Sequence, residues 1–184
     1  MSVAAAGLWM GLRAALLLAR GREDGAALIG AEGPDDQIAR ARHSFLAILF
    51  CVPVFLAVQV LGRDAEFPAM AREFVGFVLG WLGYAVLSYH LVSGMGRAVL
   101  WPRFVALWNW CNLVQYLLMA ATLVPSLLGA PTFVVQAAWL VAMFWSLWLQ
   151  WSATRLTLAL PGGRAALLVA ADMALGLMVL RLTG

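Results

Sequence analysis

Lysine is absent from this 184-residue sequence, charge of either sign is scarce, and no long hydrophilic stretch interrupts it. Charged residues make up 11% of the chain, against about a quarter in an ordinary soluble domain. That scarcity excludes a soluble globular enzyme, and 64% hydrophobic residues exclude a disordered tail. There are two cysteines, Cys51 and Cys111, too few for a disulfide framework or a Cys-rich metal site. Both fall inside apolar runs and read as small packing residues. The twelve basic residues are all arginine, scattered between apolar runs. A nucleic-acid binder gathers its basic residues on one face, so no nucleic-acid partner is expected. The sequence has no Ser-His-Asp set, no paired carboxylates, no H-E-x-x-H and no phosphate-binding glycine loop. No catalytic residue is assigned, and the chain reads as non-enzymatic.

What the sequence does have is apolar length. Five runs approach or reach the span of a bilayer core of roughly 30 Å. They are Ser44 to Leu61 with Pro53 inside, Phe74 to Met95, and Phe104 to Leu128 with Pro125 late in it. The fourth starts after Pro131 and passes Trp151 toward Leu160, and the fifth is Ala165 to Leu182. The connections carry helix-ending residues: Gly62-Arg63-Asp64, Pro68, Pro102, Gly129-Ala130-Pro131 and Pro161-Gly162-Gly163. The expected fold class is all-α: a polytopic transmembrane helical bundle of about five spans. The boundary between the last two runs is the weakest, and a four-span alternative would lay one of them on the surface.

Residues 1–43 form a separate expected region, ahead of a five-span domain over 44–184. Leu8, Trp9, Leu12, Leu16 and Leu17 recur at near-helical spacing, with Arg13 and Arg20 beside them. This predicts an interfacial amphipathic helix on the cytoplasmic leaflet. No positive charge precedes the apolar stretch from Ala4 to Leu18, and Arg13 interrupts it, so it is not read as a signal peptide. A second helix is expected from Pro34, with Asp35 and Asp36 in its first turn, running through Ile38 and Arg42 into the first span. Arg13, Arg20, Arg22, Arg40, Arg42, Arg97, Arg103, Arg155 and Arg164 fall on one side of the five-span plan. Only Arg63, Arg72 and Arg181 fall on the other. The positive-inside rule then expects a cytoplasmic N-terminus and a periplasmic C-terminus in a bacterial inner membrane.

Asp172 is the most informative residue. It stands eight positions after Arg164 and nine before Arg181, near mid-span. A carboxylate there costs about 2.5–3.5 kcal/mol on insertion scales, so it should face the bundle interior. It reads either as a structural hydrogen bond or as a proton relay or ligand contact. Asn109, Asn112 and Tyr116 share an expected face of the third span, and amides in a bilayer act as interhelical glue or line a cavity. Arg155 reads as a snorkelling cation or as a partner for Asp172 or a lipid headgroup. His90, inside the second span, and His43, just before the first, do not match in depth as a bis-histidine haem would require. No cofactor is required by the sequence, and a tetrapyrrole on His90 is the third functional reading. Gly76, Gly80 and Gly83 form a small-residue stripe for close helix packing, within the chain or against a partner subunit. The tryptophans cluster near span ends and read as an interfacial belt. Together the polar residues, in the inner half or near the midplane, place a candidate pocket open to the cytoplasm or the inner leaflet.

An N-terminal amphipathic region followed by five closely spaced spans resembles the plan of Yip1-type five-span membrane proteins. Ala41-Arg42-His43-Ser44-Phe45 and Leu107-Trp108-Asn109-Trp110 look like stretches of small alphaproteobacterial inner-membrane proteins. The resemblance implies a membrane-organising role and carries over no functional residue. The first functional reading is therefore an accessory or scaffold subunit, partnered by the lipid bilayer and by other membrane subunits or a second copy. The alternative is a small transporter or lipid-handling protein with a polar pocket around Asp172.

Overall fold

The computed structural model describes residues 3–30, 33–62 and 67–183, and all regular structure among them is helical. Arg63 and Asp64, expected to close the first span, lie outside the described residues. Helices α1 (Val3–Ala19) and α2 (Asp24–Gly30) form a hairpin, and α3 (Pro34–Ser44) leads into α4 (Leu46–Gly62). Next come α5 (Phe67–Gly94), α6 (Trp101–Ala121), the short α7 (Leu123–Leu127), α8 (Thr132–Leu158) and α9 (Gly162–Thr183). Five stretches are long and apolar enough to cross a bilayer: Asp35–Leu61, Phe67–Gly94, Ala98–Leu127, Thr132–Leu158 and Gly162–Thr183. A helix satisfies its own backbone polar groups in lipid, where no water can. The chain is a helical membrane protein, and α9 has the length that a four-span plan would deny it.

Local chemistry sets the boundaries. Phe45 joins α3 to α4 in the right-handed helical region (φ −64°, ψ −15°), so the first long apolar helical stretch runs from Asp35 to Leu61. Pro68 sits in the first turn of α5, where a missing N–H costs nothing. The second span therefore starts seven residues earlier than Phe74, and Arg72 and Glu73 are helical rather than loop residues. Pro125 cannot donate to the carbonyl of Ala121 and crowds it; α6 ends at that residue, and α7 restarts beyond Thr122. Helix α8 ends on Ala159 in the left-handed region (φ 49°), ahead of Pro161. The α1–α2 turn uses Gly21 at φ +78°. Beside it the Arg22 guanidinium hydrogen-bonds the Asp24 carboxylate and holds it below the usual carboxylate range.

Helix α6 is the centre of the packing. Helices α1, α3, α4 and α8 lie against it, and every residue from Phe104 to Val114 is buried. The N-terminal helix exists as expected, but it docks on this bundle through its small residues. Ala14, Ala15 and Leu18 are fully covered, while Trp9 and Leu16 face outward. Gly11 lets the docking happen: a Cβ there would stand 2.2 Å from the indole nitrogen of Trp110. Gly25 does the same between α2 and α1, where a Cβ would meet the Ala14 carbonyl oxygen at 2.5 Å. Arg103 donates to the Ala26 carbonyl, and Arg155 pairs with Glu23 at 2.5 Å. The hairpin thus covers the end of the bundle where α6 starts and α8 stops, called here the hairpin end. Trp108 and Trp110, expected in an interfacial belt, are instead interior packing residues.

Helix α5 belongs to a second layer. It packs along α9 and touches α6 only sparsely through its backbone. Its sequence interleaves two stripes, the glycines 76, 80 and 83 and the aromatics Phe77, Trp81 and Tyr84. The aromatics reach across to α6: Phe77 meets Tyr116 edge-on at 5.4 Å, and Trp81 meets Trp108 edge-on at 5.7 Å. Tyr84 also donates to the Leu168 carbonyl of α9 at 3.0 Å. These rings hold the two layers apart.

Candidate functional site

The gap between the layers is a cavity of about 670 Å³. It runs from the middle of the bundle, at Trp108, Asn112, Gln150 and Asp172, to the end opposite the hairpin, at Gln59, Glu73 and Thr183. Of the residues expected to form a polar pocket, Asp172, Asn112 and Tyr116 border this space. The buried run of α6 and the docked hairpin fill the hairpin end, and the open space extends toward the opposite end. A smaller hollow of about 540 Å³ between α7 and α8 has no charged residue among its described lining.

The deep end of the cavity is where the polar groups converge. Asp172, from mid-α9, presents a half-buried carboxyl to the space. Gln150 on α8 donates to Asn112 Oδ1 on α6 at 2.8 Å and makes a long, weak contact with Asp172 at 3.5 Å. The indole N–H of Trp108, a residue only 2% exposed, faces the same carboxyl without a hydrogen-bond partner at bonding distance. Gln115 Nε2 and Ser146 Oγ, also on the lining, are buried and unpartnered. A buried donor left unmade costs about 1–3 kcal/mol, so a cluster of them around one void marks a place built for an occupant or for ordered water. The remaining wall is apolar, with Met119, Met143 and Met173 among it, side chains that adapt to irregular shapes. At the far end Gln59 Nε2 donates to a carboxylate oxygen of Glu73.

The residues singled out from sequence separate into three groups. Asp172, Asn112 and Tyr116 line the cavity together, and Trp81 stacks on Tyr116 at 6.2 Å. Asn109 does not share that face. It is fully buried, accepts from Trp81 Nε1 at 2.6 Å and donates to Ser44 Oγ at 2.7 Å, tying α3, α5 and α6 together. Its neighbour one turn on looks into the cavity because α6 leaves its dense surroundings there. Arg155 and His90 stand apart from the site. Arg155 lies at the hairpin end over the Trp151 ring, 5.1 Å from its centroid, and its charge goes to Glu23 rather than Asp172. His90 is exposed on α5, edge-on to Tyr89, and His43 is exposed as well.

The glycine stripe also divides. At Gly76 a Cβ would meet Thr183 Oγ1 at 2.7 Å, so that glycine serves the approach of α9, and at Gly83 it would meet Leu175 at 3.4 Å, an ordinary contact. At Gly80 a Cβ would meet nothing within 4 Å, because that glycine faces the cavity. Sequence reading missed Gln115, Ser146 and Glu73 as lining groups. The readable signal for Glu73 was Pro68, which starts a helix rather than preceding one. No protein-family model, curated protein sequence or solved structure matches the chain.

Proposed function

We propose that the chain is a ligand-binding membrane protein of the small-transporter or lipid-handling kind, which holds a small amphiphile inside the bilayer. One observation carries this reading: the mid-bundle cavity whose apolar wall ends in a cluster of polar groups around Asp172. Ligand pockets combine such a mostly apolar lining with a few convergent polar groups. Two features that pointed to an accessory subunit are used within the chain itself. The N-terminal helix is docked on α6, and Gly76 receives α9.

The arginine distribution supports a bacterial cytoplasmic membrane with the hairpin end inside. In that orientation the cavity belongs to the periplasmic half. A C-terminal alkaline phosphatase fusion should be active and a green-fluorescent fusion dark; the reverse pair would invert the topology.

Native mass spectrometry of the tagged protein, gently extracted from its own membranes, tests the ligand reading. A lone chain or homo-oligomer should retain a defined small molecule. Gly80→Leu, which adds bulk to the void from a position whose Cβ meets no neighbour within 4 Å, should abolish or sharply weaken that retention. A bare chain in both cases, with a stoichiometric protein partner instead, would return the assignment to an accessory subunit.

A further inference from the structure

Resting on the cavity reading above, we infer that the ligand is a hydrophobic organic cation, held between the Asp172 carboxylate and the aromatic wall formed by Phe77, Trp81, Trp108 and Tyr116.

The argument starts from charge. An ionised carboxylate inside a bilayer persists when a counter-charge accompanies it. Asp172 has no ion-pair partner among the described residues, and no described basic side chain lines the cavity. The one cation that could have reached it from α8, Arg155, is turned to the hairpin end and engaged by Glu23. What faces Asp172 is a pair of neutral N–H donors, Gln150 Nε2 and the unpartnered indole of Trp108. Donors on both sides suit a carboxylate acting as acceptor. Neither brings a positive charge to it.

The second part is the wall. Five aromatic rings border the same space as Asp172, these four and Phe55, and they are fixed against one another edge-on or stacked at 5.1–6.2 Å. The face of an aromatic ring attracts a cation within about 6 Å of its centroid, more strongly when both are out of water. A neutral lipid tail would use the apolar wall and leave the carboxylate without a counter-charge. An anion would meet repulsion from Asp172, and Glu73 adds a second acidic residue at the far end of the lining. A delocalised or alkylated cation with apolar substituents satisfies the carboxylate, the rings and the methionine-rich wall at once.

The test uses two ions of one shape and opposite sign, tetraphenylphosphonium and tetraphenylborate. Saturable binding of each is measured on the full-length protein in phosphatidylcholine nanodiscs, after subtraction of empty nanodiscs. The phosphonium should bind on the order of tenfold tighter than the borate or better, the scale of one desolvated cation contact. Asp172→Asn should bring it down to the borate level, and Gly80→Leu should remove or sharply weaken both. Equal binding of the two ions, or phosphonium binding indifferent to Asp172→Asn, would overturn the cation assignment and leave the cavity reading standing. So would binding of neither ion by a protein that still retains a neutral amphiphile displaced by Gly80→Leu. If neither ion binds and no molecule is retained, the cavity reading itself falls, and this inference with it.

Discussion

Helix α6 passes through two different neighbourhoods. From Phe104 to Val114 it is surrounded by α1, α3, α4 and α8, and all of its residues are buried. Beyond that, Gln115, Tyr116 and Met119 form one wall of an open space. The difference lies in what stands opposite. Facing the first half, the stripe Gly11, Ala14, Ala15 is small enough for α1 to come into contact, and Trp110 fills what remains. Along the side of α6 that faces α5, Phe77 and Trp81 reach Tyr116 and Trp81 also meets Trp108, so the rings act as spacers and Gly80 borders the room between them. Small residues thus stand in opposite settings: at Gly11 a neighbour occupies the place of a side chain, and at Gly80 that place is open space.

Paired substitutions test that contrast. Gly11→Ala should cost about 1–3 kcal/mol, the range for overpacking a filled interior, because the new methyl collides with the Trp110 indole. Gly80→Ala should cost nothing measurable, since its methyl enters empty space and Ala is the better helix former. Equilibrium unfolding in mixed micelles would show both, and equal losses at the two sites would dissolve the distinction between the halves. Asn109→Leu comes next, at about 1–2 kcal/mol, for two interhelical hydrogen bonds of modest individual worth in a bilayer. Asn112→Leu, one turn further along, should cost less stability and more ligand affinity. A reversal of that order would place the structural amide at 112 instead.

How much of this was legible in the sequence follows from which quantity each residue reports. Apolar length and proline and glycine punctuation report position along a helix, so the five spans and the break at Pro125 were readable. Asp172 was readable because a lone charge between Arg164 and Arg181 has no plausible place except the interior. Depth, however, says nothing about azimuth or about what packs beside a residue. Asn109 and Asn112 are nearly equal in depth, yet one is knotted to Ser44 and Trp81 and the other faces the void. Polar residues toward the hairpin end have their hydrogen bonds taken up by the docked hairpin and the neighbouring helices, a fact that depth alone does not reveal. Trp108 and Trp110 show the limit of the belt rule: distance from a span end sets where a tryptophan lies, and packing decides whether it meets lipid.

Smaller effects sharpen the contrast between the layers. Gly76→Ala brings a methyl to 2.7 Å from Thr183 Oγ1, the far end of a short side chain on the last turn of α9. That turn can shift, so the loss should stay below about 1 kcal/mol, the lower edge of overpacking costs. A loss as large as that at Gly11 would mean the α5–α9 layer is as rigidly packed as the α6 core.

The smallest expected effect concerns what fastens the hairpin. Glu23 and Arg155 pair across the α2–α8 contact, but the Glu23 side chain is 64% exposed and that of Arg155 is 35% exposed. Water and salt screen such a pair, and exposed ion pairs are worth about 0.2–1 kcal/mol in double-mutant cycles. The hairpin should therefore be held mainly by the buried stripe around Ala14 and Leu18. A Glu23→Gln, Arg155→Gln cycle followed by unfolding at low and high salt should return a coupling within that range, shrinking as salt rises. Arg155 also covers the Trp151 ring with its guanidinium, so Arg155→Gln alone should cost slightly more than Glu23→Gln. A salt-independent coupling well above that range would show that charge, and not the fit of small residues against α6, closes this end of the bundle. In that case Gly11→Ala should no longer rank first.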